Sequence, residues 1–298
     1  MAIKKEKDLL YTAVAVGDNC IDNYHYPIKR TFVGGSAVNV AIALHRCGIT
    51  TSYVGAVASD KNGKIITSML KAEEINISMI QILPGTTAVT DVKIVDGDRV
   101  FLQENFGVLN EFYLDNKMIE FILKHKLVHN TYSGQTGKYL PIFREAGAII
   151  SFDYSNMQDK ALLAQTLPFV DIAFVSATYR DIRIVKKQIK ELANNGPQIV
   201  VATMGSMGSL VFKDNHFWFQ PAIPIADIVD TLGAGDSFIG TFLSGWLRKK
   251  TMEVILKEAV INANKTCQHY GAWISCRDNF DFLPGVNSWM NVNSPEGR

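Results

Sequence analysis

The segment best suited to chemistry places two glycines and an aspartate at the start of a predicted helix. It is 230–238, Asp-Thr-Leu-Gly-Ala-Gly-Asp-Ser-Phe, and apolar residues at helical spacing follow it. Glycines before a helix leave backbone amides exposed at the positive end of the helix dipole, where phosphate binds well. We interpret the amides of Gly233, Ala234 and Gly235 as an anion hole. Asp236 would then accept the proton of a hydroxyl that attacks a γ-phosphoryl group, and the helix start is expected to keep this carboxylate ionised.

A second glycine pair opens another predicted helix. Gly34 and Gly35 precede a segment whose apolar residues recur at helical spacing, and Asn39 lies one turn into it. Asparagine carries both a donor and an acceptor, which suits a sugar diol. Asp18 and Asp22 follow the first predicted strand, where open parallel sheets place ligand-binding groups. We expect these side chains to bind the substrate; the alternative for the two aspartates is turn formation and helix capping.

A third loop has the composition of a nucleotide contact. It runs from Thr203 to Gly208, contains Gly205, and follows a predicted strand at 199–202. A threonine- and glycine-containing loop at a strand end suits phosphate or ribose contacts, and its alternative is an ordinary turn into a hairpin. The P-loop pattern G-x-x-x-x-G-K-[ST] is absent, and no G-x-G-x-x-G follows the first strand. Both facts disfavour the usual P-loop and dinucleotide-binding interpretations.

Alternating strands and helices must position these groups. The predicted strands of the main sheet are at 11–17, 53–57, 127–132, 148–152, 172–175 and 199–202. Helices between them imply parallel pairing with right-handed crossovers. Asp96-Gly97 between apolar runs predicts a hairpin, and a hairpin inserted into an α/β pattern suggests a small lid over a site. The fold class we predict is therefore α/β, with a mostly parallel central sheet and a small β-sheet lid.

Composition limits the classes of molecule that the protein is expected to bind. The chain has 298 residues, 47% of them hydrophobic, and a formal net charge of +1, which gives no electrostatic reason to expect nucleic acid or an anionic membrane. The segment Met1–Leu10 lacks the apolar run of a signal peptide, and no run is long enough to span a membrane. Four scattered cysteines without zinc-like spacing favour a reducing, cytoplasmic setting. They are Cys20, Cys47, Cys267 and Cys276.

From about residue 11 to residue 273 the chain resembles the ribokinase-like (PfkB) carbohydrate kinase family. The glycine pair with Asn39 is similar to the N-terminal sugar signature of that family. The segment 230–236 is similar to its C-terminal signature, which is very specific. The resemblance implies a ribokinase-like three-layer fold with a β-sheet lid and an ATP- and Mg²⁺-dependent kinase activity. It also implies that Asp236 is the catalytic base beside the anion hole.

Further residue roles come from the same resemblance. It implies sugar contacts from Asp22, Gly34, Gly35 and Asn39. It implies nucleotide contacts from Thr203, Gly205, Gly208 and Asn264. In some members a monovalent cation such as K⁺ binds near the positions of Asp230 and Leu232, and some members dimerise through the lid. The implied organisation is a kinase domain over 1–285, with lid strands inserted near 18–33 and 88–108, and a polar tail over 286–298.

One stretch departs from the family pattern. The family often carries Asn-x-x-Glu to organise Mg²⁺ and its waters, whereas residues 176–179 read Ser-Ala-Thr-Tyr, with Asp181 two residues further on. This departure has two interpretations: the chain handles the metal differently from the family, or nucleotide phosphates and water hold most of the Mg²⁺ coordination sphere.

The substrate is suggested by three short stretches, 17–22, 96–101 and 270–273, which together resemble fructoselysine 6-kinases. These enzymes phosphorylate the 6-hydroxyl of an Amadori product, and Glu104 near the lid is a candidate for recognising the lysine amine. The alternatives are a fructokinase or other sugar kinase of the family, a catalytically inactive sugar- or nucleotide-binding regulator, and an oxidoreductase on a Rossmann-like sheet. The absent fingerprint loop counts against the last of these.

Overall fold

The computed structural model describes residues 12–95, 98–156, 159–177 and 181–275. The predictions for the N-terminal segment 1–10, the turn at 96–97, Thr178, Tyr179 and Cys276 lie outside the described residues. The polar tail, 286–298, also lies outside them, so the division into a domain over 1–285 and a tail stays a prediction.

The chain alternates strands and helices along most of its length. The strands are β1 Thr12–Val16, β2 Cys20–Tyr26, β3 Arg30–Gly34, β4 Thr50–Val54, β5 Ala56–Ala58, β6 Gln81–Leu83, β7 Val89–Val95, β8 Asp98–Asn105, β9 Leu127–Thr131, β10 Ile149–Asp153, β11 Ile172–Ser176, β12 Ile199–Thr203, β13 Ser209–Lys213 and β14 His216–Gln220. The α-helices are α1 Ser36–Arg46, α2 Lys61–Ala72, α3 Asn116–Ile122, α4 Leu140–Glu145, α5 Lys160–Thr166, α6 Ile182–Ala193, α7 Ala234–Leu247 and α8 Met252–Thr266.

The central sheet has eight strands in the order β14-β13-β12-β11-β10-β9-β1-β4. The six neighbouring strands β4, β1, β9, β10, β11 and β12 pair in parallel. At the other edge of the sheet, β13 and β14 join antiparallel. This confirms the predicted mostly parallel sheet. The prediction of one strand over 53–57 is wrong, because Gly55 separates β4 from β5. A Cβ atom at Gly55 would lie 2.1 Å from the hydroxyl oxygen of Tyr53, so a residue with a side chain does not fit at this position.

Helices cover both faces of this sheet because its buried strands direct alternate apolar residues to opposite sides. Val14 and Val200 face a core that includes α3, α4 and α6. Ala13 and Val201, one residue away in each strand, face a core that includes α1, α7 and α8. The result is the three-layer arrangement that the resemblance implies.

A separate four-stranded sheet, β3-β2-β7-β8, forms the lid. Its β7 and β8 pair antiparallel up to Val95 and Asp98, on either side of the predicted Asp-Gly turn. Tyr24, Val92 and Ile94 form a small core of its own under the sheet. This packing gives the lid a rigid face toward the ends of the central strands.

Candidate active site

A cavity of about 180 Å³ lies between the lid and the carboxyl ends of the central strands. Parallel strands present these ends along one edge, and ligands bind there in open α/β sheets. The predicted site residues that line it are Asp18, Asp22, Gly35, Asn39, Leu232, Gly233, Gly235 and Asp236. The structure therefore brings the two predicted signatures, nearly 200 residues apart in sequence, into one cavity.

The helix α7 begins in an open glycine loop. Gly233 precedes the helix with φ 78°, and a Cβ atom there would lie 2.4 Å from that of Ala272. A Cβ atom on Gly235 would meet no atom within 4 Å, so this residue borders open space. The amide of Ala234 donates to a carbonyl within the loop at 3.2 Å. The amides of Gly235 and Asp236 donate to no backbone carbonyl in the described part of the chain. Those two amides are free to bind an anion.

The carboxyl group of Asp236 is held by a chain of two hydrogen bonds. The Nδ2 atom of Asn39 donates to Oδ2 of Asp236 at 2.8 Å, and the indole of Trp273 donates to Oδ1 of Asn39 at 3.2 Å. Asn39 was predicted to bind a sugar diol, but much of its side-chain hydrogen-bonding capacity is used inside the protein. Its clearest role in the structure is to orient Asp236.

Burial dominates the acidity of Asp236. The pKa of this carboxyl group is raised from 3.8 to about 6, mainly by burial and also by the charge of Asp18, although the hydrogen bond from Asn39 and the charge of Arg99 lower it. The helix start was expected to keep this carboxylate ionised, and desolvation opposes that effect by raising the pKa. A carboxylate with a pKa near 6 is still mostly ionised at neutral pH and is a better base than an ordinary aspartate.

The two other predicted aspartates differ in their partners. Asp18 accepts from the backbone amide of Ser36 at 2.6 Å and from the hydroxyl of Thr131 at 2.5 Å. It therefore caps α1, the alternative named for it, while also lining the cavity. Asp22 is 3% exposed, and its hydrogen-bond donor is the thiol of Cys20 at 3.2 Å. The pKa of Asp22 is raised to about 7, mainly by burial and also by nearby carboxylates, although the hydrogen bond from Cys20 lowers it.

The glycine pair before α1 makes room for these carboxylates. A Cβ atom on Gly34 would lie 1.9 Å from Oδ2 of Asp22. Gly35 has φ 100°, and a Cβ atom there would lie 2.4 Å from the Cα atom of Asn19. Gly34 does not line the cavity, so its contribution is the space it leaves for Asp22.

Two charged residues of the cavity were missed from the sequence. Asp153 ends β10, and burial, followed by the charge of Asp236, raises its pKa to about 7. The sequence did indicate Asp153, because this residue follows the predicted strand at 148–152 just as Asp18 follows the first strand. Arg99 on β8 lines the cavity and donates to the carbonyl of Thr231 at 3.3 Å. An arginine in a hairpin strand carries no sequence signal of this role.

The predicted nucleotide residues lie outside this cavity. Thr203 ends β12 and pairs in register with Ser176, which lines the cavity at the end of β11. A Cβ atom on Gly205 would meet no atom within 4 Å, whereas one on Gly208 would lie 2.1 Å from the carbonyl oxygen of Gln220. The side chain of Asn264 donates to the carbonyl of Ile223 at 2.7 Å. The loop after β12 thus extends the same edge of the sheet beyond the cavity.

Asp230 connects the lid with the glycine loop. Its fully buried carboxylate accepts from the hydroxyl of Tyr24 at 2.5 Å and from the amides of Leu232 and Gly271, both at 2.9 Å. Burial raises the pKa of Tyr24, so its hydroxyl stays protonated and donates. Within the described residues no group of three or more His, Cys, Asp or Glu side chains is arranged to hold a metal ion.

Sequence comparison identifies the family. The pattern described as "pfkB family carbohydrate kinase" matches residues 28–279. The chain is 34% identical over 262 residues to "Fructoselysine 6-kinase" of Escherichia coli (strain K12), covering 88% of this chain and 99% of that protein. It is 33% identical over 270 residues to a fructosamine kinase of Bacillus subtilis (strain 168), covering 87% of this chain and 92% of that protein.

Solved structures agree on the fold. A ribokinase from Arabidopsis thaliana complexed with ribose and ATP superimposes with a TM-score of 0.77 at 20% identity, covering 88% of this chain and 93% of that one. A nucleoside kinase from Burkholderia thailandensis in complex with inosine also gives a TM-score of 0.77, at 18% identity, covering 89% of this chain and 93% of that one. These similarities confirm the predicted ribokinase-like fold with its large mostly parallel sheet and small separate sheet.

Proposed function

Because this chain belongs to the pfkB family of carbohydrate kinases, we propose that it phosphorylates fructoselysine at the 6-hydroxyl, with Asp236 as the catalytic base. That it is an ATP-dependent kinase of a sugar or sugar derivative follows from the family and its relatives. The observation that carries the role of Asp236 is the position of its carboxyl group in the cavity, beside the free amides of the helix start.

The proposed reaction is an in-line phosphoryl transfer. Asp236 accepts the proton of the 6-hydroxyl while the sugar oxygen forms a bond to the γ-phosphorus and the bond to the bridging oxygen of ADP breaks. The amides of Gly233, Gly235 and Asp236 stabilise charge on the transferring group. We leave Ala234 out of the anion hole because its amide already donates within the loop.

The residues fit ATP and Mg²⁺ in one respect each. The open space at Gly235 leaves room for phosphate oxygens beside the free amides. An Mg²⁺ ion in a phosphoryl-transfer site is usually held mainly by phosphates and water, so one nearby carboxyl group is enough to support it. We propose that Asp153, close enough to Asp236 for the charges to interact, holds waters of that ion. Bound Mg²⁺ supplies neutralisation of phosphate charge.

The remaining site residues divide between the two substrates. We propose that the sugar is held by Asp18, Asp22 and Asn39. Gly34 and Gly35 contribute by leaving space beside the two aspartates. We propose that the nucleotide lies along Thr203, Gly205, Gly208 and Asn264. The register between Thr203 and Ser176 supports this division, because the loop after β12 lies one strand beyond the cavity.

A K⁺ ion near Asp230 and Leu232 stays a proposal. The fully buried Asp230 carboxylate gives a cation a strong electrostatic attraction, but it already accepts from Tyr24 and two amides. A bound cation would therefore rely on backbone carbonyls of this loop. The test measures turnover after tetramethylammonium is replaced by K⁺ at constant ionic strength. A higher turnover in K⁺ supports the site, and equal turnover in both salts contradicts it.

Dimerisation through the lid is supported by exposed apolar side chains. Tyr26 is 65% exposed and Leu102 is 50% exposed, and Val95 and Val100 on the same sheet are also exposed. Clustered apolar exposure of this kind marks interaction surfaces. We propose a homodimer through this sheet. Light scattering should give twice the mass of one chain, and Leu102→Glu should shift it to the monomer mass.

We propose a cytoplasmic location, supported by free thiols at Cys20, Cys47 and Cys267 and by the use of ATP. Among the helices of the described residues, none combines the length and apolar character of a membrane span.

A substrate panel tests the proposed function. The purified enzyme is assayed for ADP release with fructoselysine, fructose, ribose and a nucleoside in the presence of Mg²⁺ and K⁺, and the phosphorylated carbon is located by NMR. We expect the highest kcat/KM with fructoselysine and phosphate on the 6-oxygen. A preference for fructose would identify a fructokinase, and no ADP with any sugar would favour a binding regulator.

A further inference from the structure

A β-bulge in the lid changes which residues of β8 face the cavity. Phe101 pairs with Val92 on β7, whereas Gln103 pairs with the preceding residue, Asp91. Leu102 is therefore an extra residue without a partner. In a regular strand with Arg99 and Phe101 facing the cavity, Gln103 would face it too, because side chains alternate. The bulge reverses this order and directs Glu104 into the cavity.

The bulge places Glu104 in a row across three lid strands. Asp22 on β2 pairs with Thr90 on β7, and Thr90 pairs with Glu104 on β8. All three side chains line the cavity. Neighbouring strands are about 4.8 Å apart, so the backbones of Asp22 and Glu104 lie on either side of Thr90 at roughly 10 Å from each other.

The two carboxyl groups of this row receive few hydrogen bonds from the described part of the protein. Asp22 is 3% exposed, yet the single donor to its carboxylate in the described part of the chain is the weak thiol of Cys20. No described side chain forms an ion pair with Glu104 at the edge of the sheet. A buried acceptor without a strong donor is costly, so the row is suited to donors that arrive with the substrate.

The charges of the cavity point to a cationic donor. Its acidic lining residues are Asp18, Asp22, Glu104, Asp153 and Asp236, and Arg99 is the one basic lining residue in the described part of the chain. One base and acceptors for hydroxyl groups suffice for a neutral sugar. A further carboxylate at the edge of the lid could accept a hydroxyl group, but it pairs more strongly with an ammonium group.

We infer that Glu104 selects amine-bearing sugars by pairing its carboxylate with the ammonium group next to the first carbon of the sugar. Asp22, in the same row, accepts the neighbouring hydroxyl groups. The reacting 6-hydroxyl at Asp236 lies at the opposite end of the sugar, which matches the position of Glu104 on the outermost lid strand. This inference deepens the proposed function and rests on it.

The test compares three variants in a steady-state assay with fructoselysine. Glu104→Gln removes the charge without changing the shape. Glu111→Gln removes an equally exposed glutamate that does not line the cavity. The third variant combines Glu104→Gln with Gln103→Glu. It restores the negative charge of the strand, but on the face that points away from the cavity. Fructose, which lacks the amine, is measured as a competitive inhibitor of each enzyme.

We expect Glu104→Gln to raise KM for fructoselysine by about 10- to 100-fold, as for a lost charge-assisted hydrogen bond, with kcat within about twofold. Glu111→Gln should leave KM unchanged, Gln103→Glu should not restore it, and fructose inhibition should stay the same. An unchanged KM, an equal loss of fructose binding, or rescue by Gln103→Glu overturns the role of Glu104. A wild-type enzyme inactive on fructoselysine overturns the proposed substrate and this inference together.

Discussion

Gly235→Ala should separate catalysis from folding at the helix start. A Cβ atom at this position meets no protein atom within 4 Å, so the methyl group enters the space we assign to the transferring phosphoryl group. Alanine is favoured over glycine inside a helix by up to about 1 kcal/mol, so the variant should be as stable as the wild type or slightly more stable. A gain of that size corresponds to a Tm increase of roughly 1–3 °C.

The catalytic loss follows from the anion hole. Removing one donor from an oxyanion hole costs roughly 10²–10³ in kcat, and a methyl group that displaces the phosphoryl group from the amides should cost about as much. The assay pairs coupled ADP release with thermal unfolding. Gly233→Ala serves as the contrast, because its Cβ atom would lie 2.4 Å from that of Ala272 and should lower Tm as well. Near-normal kcat in folded Gly235→Ala would refute the assigned phosphate position.

Three further expectations concern the pKa of the base, the hydrogen bond that orients it, and the buried contact between Tyr24 and Asp230. Since burial raises the pKa of Asp236 to about 6 and the base must be ionised, kcat/KM should rise with pH up to about 6 and then level off; a flat profile down to pH 5 would contradict this. Trp273→Phe removes the donor to Asn39 and should lower kcat about 3- to 10-fold with little change in KM, as for one hydrogen bond; an equal loss in KM would indicate a binding role instead. Tyr24→Phe removes a donor to buried Asp230 and should lower the free energy of unfolding by about 1–3 kcal/mol in urea titrations, whereas an unchanged midpoint would argue against that contact.

Local sequence signals anticipated the elements that form the site. Glycines before apolar periodic segments correctly indicated the starts of α1 and α7, because helix initiation depends on neighbouring residues. The strands at 127–132, 148–152, 172–175 and 199–202 were predicted to within one residue at each end, since buried parallel strands are short apolar runs. Asp153 was missed although the same rule that selected Asp18 applied to it.

Other features depend on contacts between distant segments. The direction of Glu104 depends on a bulge whose register involves a partner strand, and no local pattern marks it. The hydrogen bond from Asn39 to Asp236 joins side chains 197 residues apart. The pKa of Asp236 depends on burial by the whole fold, so its rise to about 6 could not be read from the position of the residue in the helix.

The most direct test of the account is Asp236→Asn, which preserves size and removes the base. We predict that kcat with fructoselysine falls by about 10²–10⁴, the usual contribution of general-base catalysis, while the dissociation constants of the sugar and of a non-hydrolysable ATP analogue change little. Turnover within tenfold of the wild type, with both ligands still bound, would contradict the assignment of Asp236 as the base.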